Sequence, residues 1–324
     1  IDTIYDVFIP ARQHSTPPDY WNKYSKNKPV FIAEYGSWEY YAQNAGFNQT
    51  EFKDLLPEDR SSRQLRGYGE KHLLQQAYNF QEAYNSNLGG PAIGSSNWGM
   101  IDYNRGYASN IETSGILDIS RIPKFTYWFY KSQSDSEPVC FIASFNTISS
   151  AKYVRIYSNG DSVTLYRNDK LIGAMTPDIN PNTTNLSHPP FTFNLNSFEP
   201  GILRAESFKE GVLWAKHSIC TPGKAAKLKV EPDYSGRRLK ADGSDIIFIN
   251  AFVTDKDGNI DIDYSSPVLF EADGYSLLIG ENPVSAEAGI ATIMLKAGTT
   301  PGEITVKATS ADLLPAEIEI ISEK

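Results

Sequence analysis

The chain has 324 residues, 40% hydrophobic and 21% charged, the balance of a globular protein with room for two or three domains. Its formal net charge is −9 and no Lys/Arg block stands out, which argues against a nucleic-acid-binding face. No apolar run reaches the ~18 residues of a membrane span, and two cysteines, Cys140 and Cys220, are too few for a disulfide scaffold, so one bridge or two free thiols stay open.

In chain order, Val30-Phe31-Ile32-Ala33 predicts a buried strand that runs straight into a carboxylate, Glu34. Residues 60–88 predict a long helix. Leu65, Tyr68, His72, Leu73, Ala77, Phe80 and Tyr84 recur at spacings of three and four and build one apolar face. Asp59 or Ser61 serves as N-cap, and Gly89-Gly90-Pro91 is a strong stop. Residues 92–98 predict another short strand. Strand, helix and strand in that order form a βαβ unit and hence a parallel sheet. A second helix is predicted over 124–132, after Pro123.

After about Ser134 the pattern becomes one of short alternating segments. Residues 153–157 and 162–166 are two of them, with Asn159-Gly160 as the turn between. Residues 201–208 and 212–215 predict a hairpin, and Thr221-Pro222-Gly223 marks a linker. Residues 246–254 and 304–309 alternate cleanly, with Asp257-Gly258-Asn259 as a hairpin turn. Two successive stretches of ~100 residues with frequent turns predict two antiparallel β-sandwiches.

A parallel sheet places its working residues just beyond the carboxyl ends of its strands. Glu34 stands at such an end, Trp98 stands at the end of the next strand, and Asp102-Tyr103 follows shortly after. A carboxylate beside an aromatic wall suits a sugar ring: the aromatic stacks on its apolar face and the carboxylate acts at the anomeric carbon. A solvated acid and a core tryptophan are the plain alternatives, and position alone does not decide. Trp38, Tyr40 and Tyr41 either wall a pocket or pack beneath the loop, and Glu39 reads as a solvated loop acid, with a hydrogen bond to a sugar hydroxyl as the alternative. Asp102 and Arg105 either pair with each other or contact a substrate. His14 reads as a surface histidine after a strand. Residues 255–261 resemble a calcium loop superficially, but the glycine is not sixth and no glutamate stands twelfth, so a hairpin turn is expected. No Cys/His spacing suggests zinc. No cofactor is expected; a structural Mg, Na or Ca ion is permitted but not indicated. Sequons occur at Asn48, Asn182 and Asn185.

The segments "PVFIAEYGSWEYY", "GPAIGSSNWGMIDYNRG" and "SGILDISRIPKFTYWFYKSQ" resemble, in order and spacing, the end of the catalytic barrel of glycoside hydrolase family 2. That family includes β-galactosidases, β-glucuronidases and β-mannosidases. The resemblance covers residues 1–133 and implies an α/β part made of the last strands and helices of a (β/α)8 TIM barrel. Residues 134–222, with "RIYSNGDSVTLYRNDKLIG", and 223–324, with "GYSLLIGENPVSAEAGIATIMLKAGTTPGEITVKATS", resemble two immunoglobulin-like sandwich domains that follow the barrel. The family's nucleophile falls on Glu34, and the aromatic lining its sugar site falls on Trp98. Trp38, Tyr35, Asp102 and His14 are the further candidate substrate contacts.

The resemblance also marks departures. The family's acid/base glutamate sits in an Asn-Glu pair, and no such pair precedes Glu34 here. The chain opens Ile1-Asp2-Thr3 without a methionine and reads as the C-terminal portion of a longer enzyme. Alone, it is expected to be inactive or nearly so. The tyrosine that orients the nucleophile in many β-galactosidases has no counterpart in Phe8-Ile9-Pro10-Ala11-Arg12, and the Asn-x-Lys pair of β-glucuronidases does not follow Trp98. The expected function is retaining hydrolysis of terminal β-D-galactosides or related β-glycosides. The alternative is a non-catalytic carbohydrate-binding or adhesion module built on the sandwiches. The expected partner is a β-galactoside or polysaccharide side chain. Self-association or pairing with an N-terminal part is expected from an open barrel. A periplasmic or extracellular location follows by analogy only.

Overall fold

The computed structural model describes residues 6–9, 27–36 and 61–324. The chain forms two compact units, Ile1–Cys220 and Thr221–Lys324. The break falls on the predicted linker Thr221-Pro222-Gly223. Among the described residues β-strands outnumber helices several-fold.

In the first unit, β1 (Val30–Tyr35) is followed by α1 (Glu70–Leu88) and β2 (Ala92–Asn97), and the two strands pair in parallel. The predicted βαβ unit is therefore present. Val30, Ile32 and Tyr35 bury against Phe80 and Ala83 of α1. On the other edge of β1, Phe8 forms a parallel bridge to Val30, with the Phe31 N–H donating to the Phe8 carbonyl at 3.0 Å.

The helix begins later than the sequence suggests. Asp59 lies outside the described residues, and Ser61 does not cap α1; the cap position is Gly69, at φ +92°. Residues 61–65 are not helical, because their backbone is used elsewhere: the Gln64 N–H donates to Thr113 O (3.1 Å), and Gln76 Nε2 donates to Ser62 O (2.8 Å). Leu65 and Tyr68 thus fall off the helix, and Tyr68 is exposed. Glu70, the first helical residue, accepts from the Phe145 and Ala151 backbone N–H groups at 2.6 and 2.9 Å and from the Ser144 and Ser150 hydroxyls. The stop is as predicted, with α1 ending at Leu88 before Gly89.

The short strands β3 (Tyr103–Asn104) and β4 (Ile111–Glu112) pair as a hairpin, and α2 spans Phe125–Ser132. Seven strands complete the unit: β5 (Cys140–Ala143), β6 (Tyr153–Ser158), β7 (Ser162–Arg167), β8 (Lys170–Met175), β9 (Phe191–Asn194), β10 (Ile202–Lys209) and β11 (Val212–Cys220). They form two sheets, ordered β5-β6-β9 and β11-β10-β7-β8. The turn at Asn159-Gly160 therefore carries the chain from one sheet to the other rather than closing a hairpin. Asn159 holds it: its Oδ1 accepts from the Val139 N–H and from Trp214 Nε1, and its Nδ2 donates to Ser134 O and Glu137 O.

The β5-β6-β9 sheet is buried on both faces. Val154 and Ile156 point into the sandwich core with Val163, Leu165, Phe191 and Leu203. Tyr157 points the other way, against Leu73 and Ala77 of α1 and Phe129 of α2. This is why α1 carries buried polar side chains beside its apolar ones: Asn85 Nδ2 donates to Pro181 O, and Gln81 Nε2 donates to Asn182 O. Two of the sequons are engaged in the same contact, with Asn182 Nδ2 donating to Tyr78 Oη and Asn185 Nδ2 to Asn85 O. Both cysteines are free, and burial pushes the Cys140 thiol up to about 12, which keeps it unreactive.

The second unit holds β12 (Lys227–Asp233), β13 (Leu239–Lys240), β14 (Ile246–Thr254), β15 (Pro267–Ala272), β16 (Ser276–Ile279), β17 (Val284–Ser285), β18 (Ile290–Ala297), β19 (Gly302–Thr309) and β20 (Ala316–Glu323). The sheets are β12-β14-β18-β16 and β13-β20-β19-β15-β17, and alternate residues of both, such as Ile249, Leu295, Phe270 and Val306, share one core.

The calcium-like loop is a turn organised by one carboxylate. Burial opposes ionisation of Asp255, but the Asn259 side chain and the Gly223, Asn259 and Asp257 N–H groups outweigh it and hold the carboxyl well below its usual range. A depressed carboxyl stabilises the fold above its unfolded pKa of about 4, and this is lost as pH falls below that. Asp255→Ala is expected to destabilise the second unit by about 2–3 kcal/mol at pH 7, and by less at acid pH. Hydrogen exchange of the β14 amides at pH 7 and pH 3 measures both effects; equal losses at the two values would refute the account.

Candidate active site

The apolar run 30–33 can end on a charge because β1 is irregular at that point. Ile32 pairs with Ser95 and Tyr35 with Asn97, so three steps along β1 face two along β2. This is a one-residue bulge at Ala33-Glu34, a device that re-aims a side chain. Without it Glu34 would follow Val30 and Ile32 into the core by simple alternation. With it Tyr35 takes the core position, 2% exposed, and Glu34 is left half-buried at the carboxyl end of the strand.

Gly36 completes the exit. It has φ +91°, and a Cβ there would lie 2.3 Å from Cε1 of Phe80. Gly36→Ala is expected to cost about 2–3 kcal/mol, from the left-handed backbone and the overlap together. All five tryptophans lie in the first unit, so tryptophan fluorescence during urea unfolding reads this loss directly. An unchanged midpoint would show that Phe80 can move aside.

Trp98 leaves the carboxyl end of the neighbouring strand. Its N–H donates to Tyr35 O at 2.8 Å, which ties the two strand ends together. The indole is half-exposed. Its Nε1 donates to Tyr103 Oη at 3.3 Å, and the two rings meet edge to face at 6.0 Å. The Trp98–Gly99 peptide bond is cis.

Behind Trp98 the backbone is clamped. Residues 99–102 and 114–117 exchange hydrogen bonds, including Leu117 N–H to Met100 O and Asp102 N–H to Leu117 O, both 3.0 Å. Gly115 permits this approach, since a Cβ there would sit 2.3 Å from the Asp102 nitrogen. Lys124, fully buried, lies 2.8 Å from the Asp102 carboxylate and donates also to Gln64 O (2.6 Å) and Thr113 O (2.9 Å). Burial pushes the Asp102 carboxyl up to about 7, against the opposing pull of Lys124. Glu112, also buried, bridges Arg63 (2.8 Å) and Arg105.

Two expectations are corrected by these contacts. Asp102 pairs with Lys124, not with Arg105, and it is buried, 3% exposed, with its Oδ1 accepting from the Lys124 ammonium and the Gly115 N–H. Tyr35 likewise faces inward. Its Oη is hydrogen-bonded to Tyr130 Oη at 2.8 Å, its ring meets Phe80 and Tyr84, and burial raises its phenol far above the usual range. Glu34 and Trp98 are brought to adjacent strand ends. His14 and Trp38 lie outside the described residues, as do Glu39, Tyr40 and Tyr41. Tyr103, which orients the indole, was signalled only by its place five residues after Trp98. Among the described residues no group of three His, Cys, Asp or Glu side chains is placed to hold a metal ion.

Residues 228–319 match the family model for the glycoside hydrolase family 2 C-terminal domain 5, and residues 150–215 match a domain of unknown function, DUF4982. The chain is 35% identical over 238 residues to a β-galactosidase of Thermoanaerobacter pseudethanolicus, a match covering 67% of this chain and 32% of that protein. It is 28% identical over 240 residues to β-galactosidase BoGH2A of Bacteroides ovatus, covering 68% and 26%. A β-glycosidase from Bacteroides vulgatus superposes with a TM-score of 0.75 at 18% identity, over 99% of this chain and 46% of that one. The matched region spans about a third or less of the length of these curated relatives.

Proposed function

We propose, for a chain that belongs to glycoside hydrolase family 2 and corresponds to that family's C-terminal portion, that it supplies the nucleophile and part of the sugar platform of a retaining exo-β-glycosidase. One observation carries this reading: the bulge that turns Glu34 out of the core at the carboxyl end of a parallel strand, with Trp98 emerging at the end of the next. Parallel pairing of Phe8, β1 and β2, with α1 between the strands, supports the last part of a (β/α)8 barrel. The two sandwiches would then be its immunoglobulin-like accessory domains.

In this reading the Glu34 carboxylate attacks the anomeric carbon as the leaving oxygen is protonated. A glycosyl ester forms on Glu34, and water then hydrolyses it. The proton donor must be a second carboxyl group about 5–5.5 Å from the first. In the family that donor is the glutamate of an Asn-Glu pair ahead of the nucleophile; residues 1–33 hold no such pair, so the donor would come from polypeptide outside these 324 residues. Terminal β-galactosides are the proposed substrates, following the names of two relatives. The working enzyme would act in the periplasm or outside the cell. The test is a panel of aryl β-glycosides. The 324 residues alone are expected to give no turnover, and turnover is expected once upstream polypeptide is joined to them. Turnover by the chain alone would sink the split-pair reading, and binding without turnover in both forms would favour a carbohydrate-binding module.

A further inference from the structure

The first sandwich buries a cation that its surroundings do not neutralise. Arg167, the last residue of β7, is 8% exposed. Its Nη1 donates to Ser197 O at 3.0 Å, while its Nε has no acceptor. No ion pair to it is formed among the described residues. A guanidinium taken out of water without a carboxylate or a full set of acceptors is costly, and buried charges in folded proteins are normally paired. Arg167 also stands in the wall between two hollows, one of about 110 Å³ and one of about 330 Å³, which share Leu195 and Ser197 as well. The smaller is lined by Ser144 and Asn146. The larger opens at Lys170, Asn194 and Asn196, with Glu199 as the carboxylate on its rim.

We propose that this double hollow is a binding site for a sugar bearing an oxyanion, a uronate or a sulfate ester. The oxyanion would approach the Arg167 guanidinium where it lines the larger hollow, and the ring would lie in that hollow against the asparagine amides. The site is in the sandwich and is independent of Glu34, so its test is binding, not hydrolysis. It can fail while the glycosidase reading stands.

The experiment is titration calorimetry of the 324-residue chain with glucuronic acid, galactose 6-sulfate, neutral galactose and inorganic sulfate. One or both acidic sugars are expected to bind, and the arm that responds identifies the oxyanion. Neutral galactose and sulfate alone are expected to bind at least about tenfold more weakly, and Arg167→Gln to weaken the acidic sugar by at least about tenfold. Should that variant not fold, Asn196→Asp, which adds a negative charge on the exposed rim, is expected to weaken it in the same sense. No binding by either acidic sugar, equal binding of neutral galactose or inorganic sulfate, or indifference to both substitutions would overturn the proposal.

Discussion

Lys124→Met is expected to destabilise the first unit by about 3–5 kcal/mol, the loss typical when one partner of a buried ion pair is removed. The ammonium uses all three of its hydrogens, on Gln64 O, Thr113 O and Asp102. Methionine fills similar volume but leaves two carbonyls and a carboxylate enclosed. The pH dependence follows from Asp102, whose carboxyl is already raised to about 7 by burial despite Lys124. A raised carboxyl is protonated more readily in the folded state than in the unfolded one. Its contribution is therefore most favourable below the unfolded pKa of about 4 and declines as pH rises towards 7. Losing Lys124 lifts that carboxyl further, so the variant should suffer more at pH 8 than at pH 5. Adding Asp102→Asn should recover much of the loss. Urea unfolding followed by tryptophan fluorescence at the two pH values measures all three. A small, pH-independent loss would show that the pair is replaceable by packing alone.

Glu34→Gln, placed in a polypeptide that includes the upstream segment, is expected to lower kcat by at least about 10³-fold with little change in KM. Glutamine keeps the shape of the side chain but cannot form the glycosyl ester. The complementary variant, Glu34→Ala, leaves room for a small anion, and azide should restore turnover by attacking from the vacated face, giving a glycosyl azide of inverted configuration. Retention of a tenth or more of the activity by Glu34→Gln would remove Glu34 from the role. The Gly36→Ala loss is the structural control, since it displaces the same strand end without touching the carboxylate.

Much of the first unit was legible in local pattern. The apolar run before Glu34, the stop at Gly89 and the helix after Pro123 each depend on neighbours within one or two turns, and the structure has them all. The start of α1 was not legible, because residues 61–65 have helical spacing but use their backbone on Thr113 and Gln76 instead. The alternating pattern marks the sandwich strands but not the β6–β7 connection: two alternating segments and Asn-Gly read the same whether the strands pair with each other or enter facing sheets.

At the candidate site the division is sharper. Local pattern places a carboxylate and an indole after two apolar strands separated by a helix, because periodicity and turn residues act within a few positions. It also determined the family, through segments that keep their order and spacing. That Tyr35 faces the core while Glu34 does not emerges only in the packed molecule, since a bulge exists only relative to the partner strand. The same holds for Asp102, which belongs to Lys124, 22 residues away, and not to nearby Arg105. Burial makes the loss of either partner of such a pair costly, and burial is a property of the packed chain and not of any one segment.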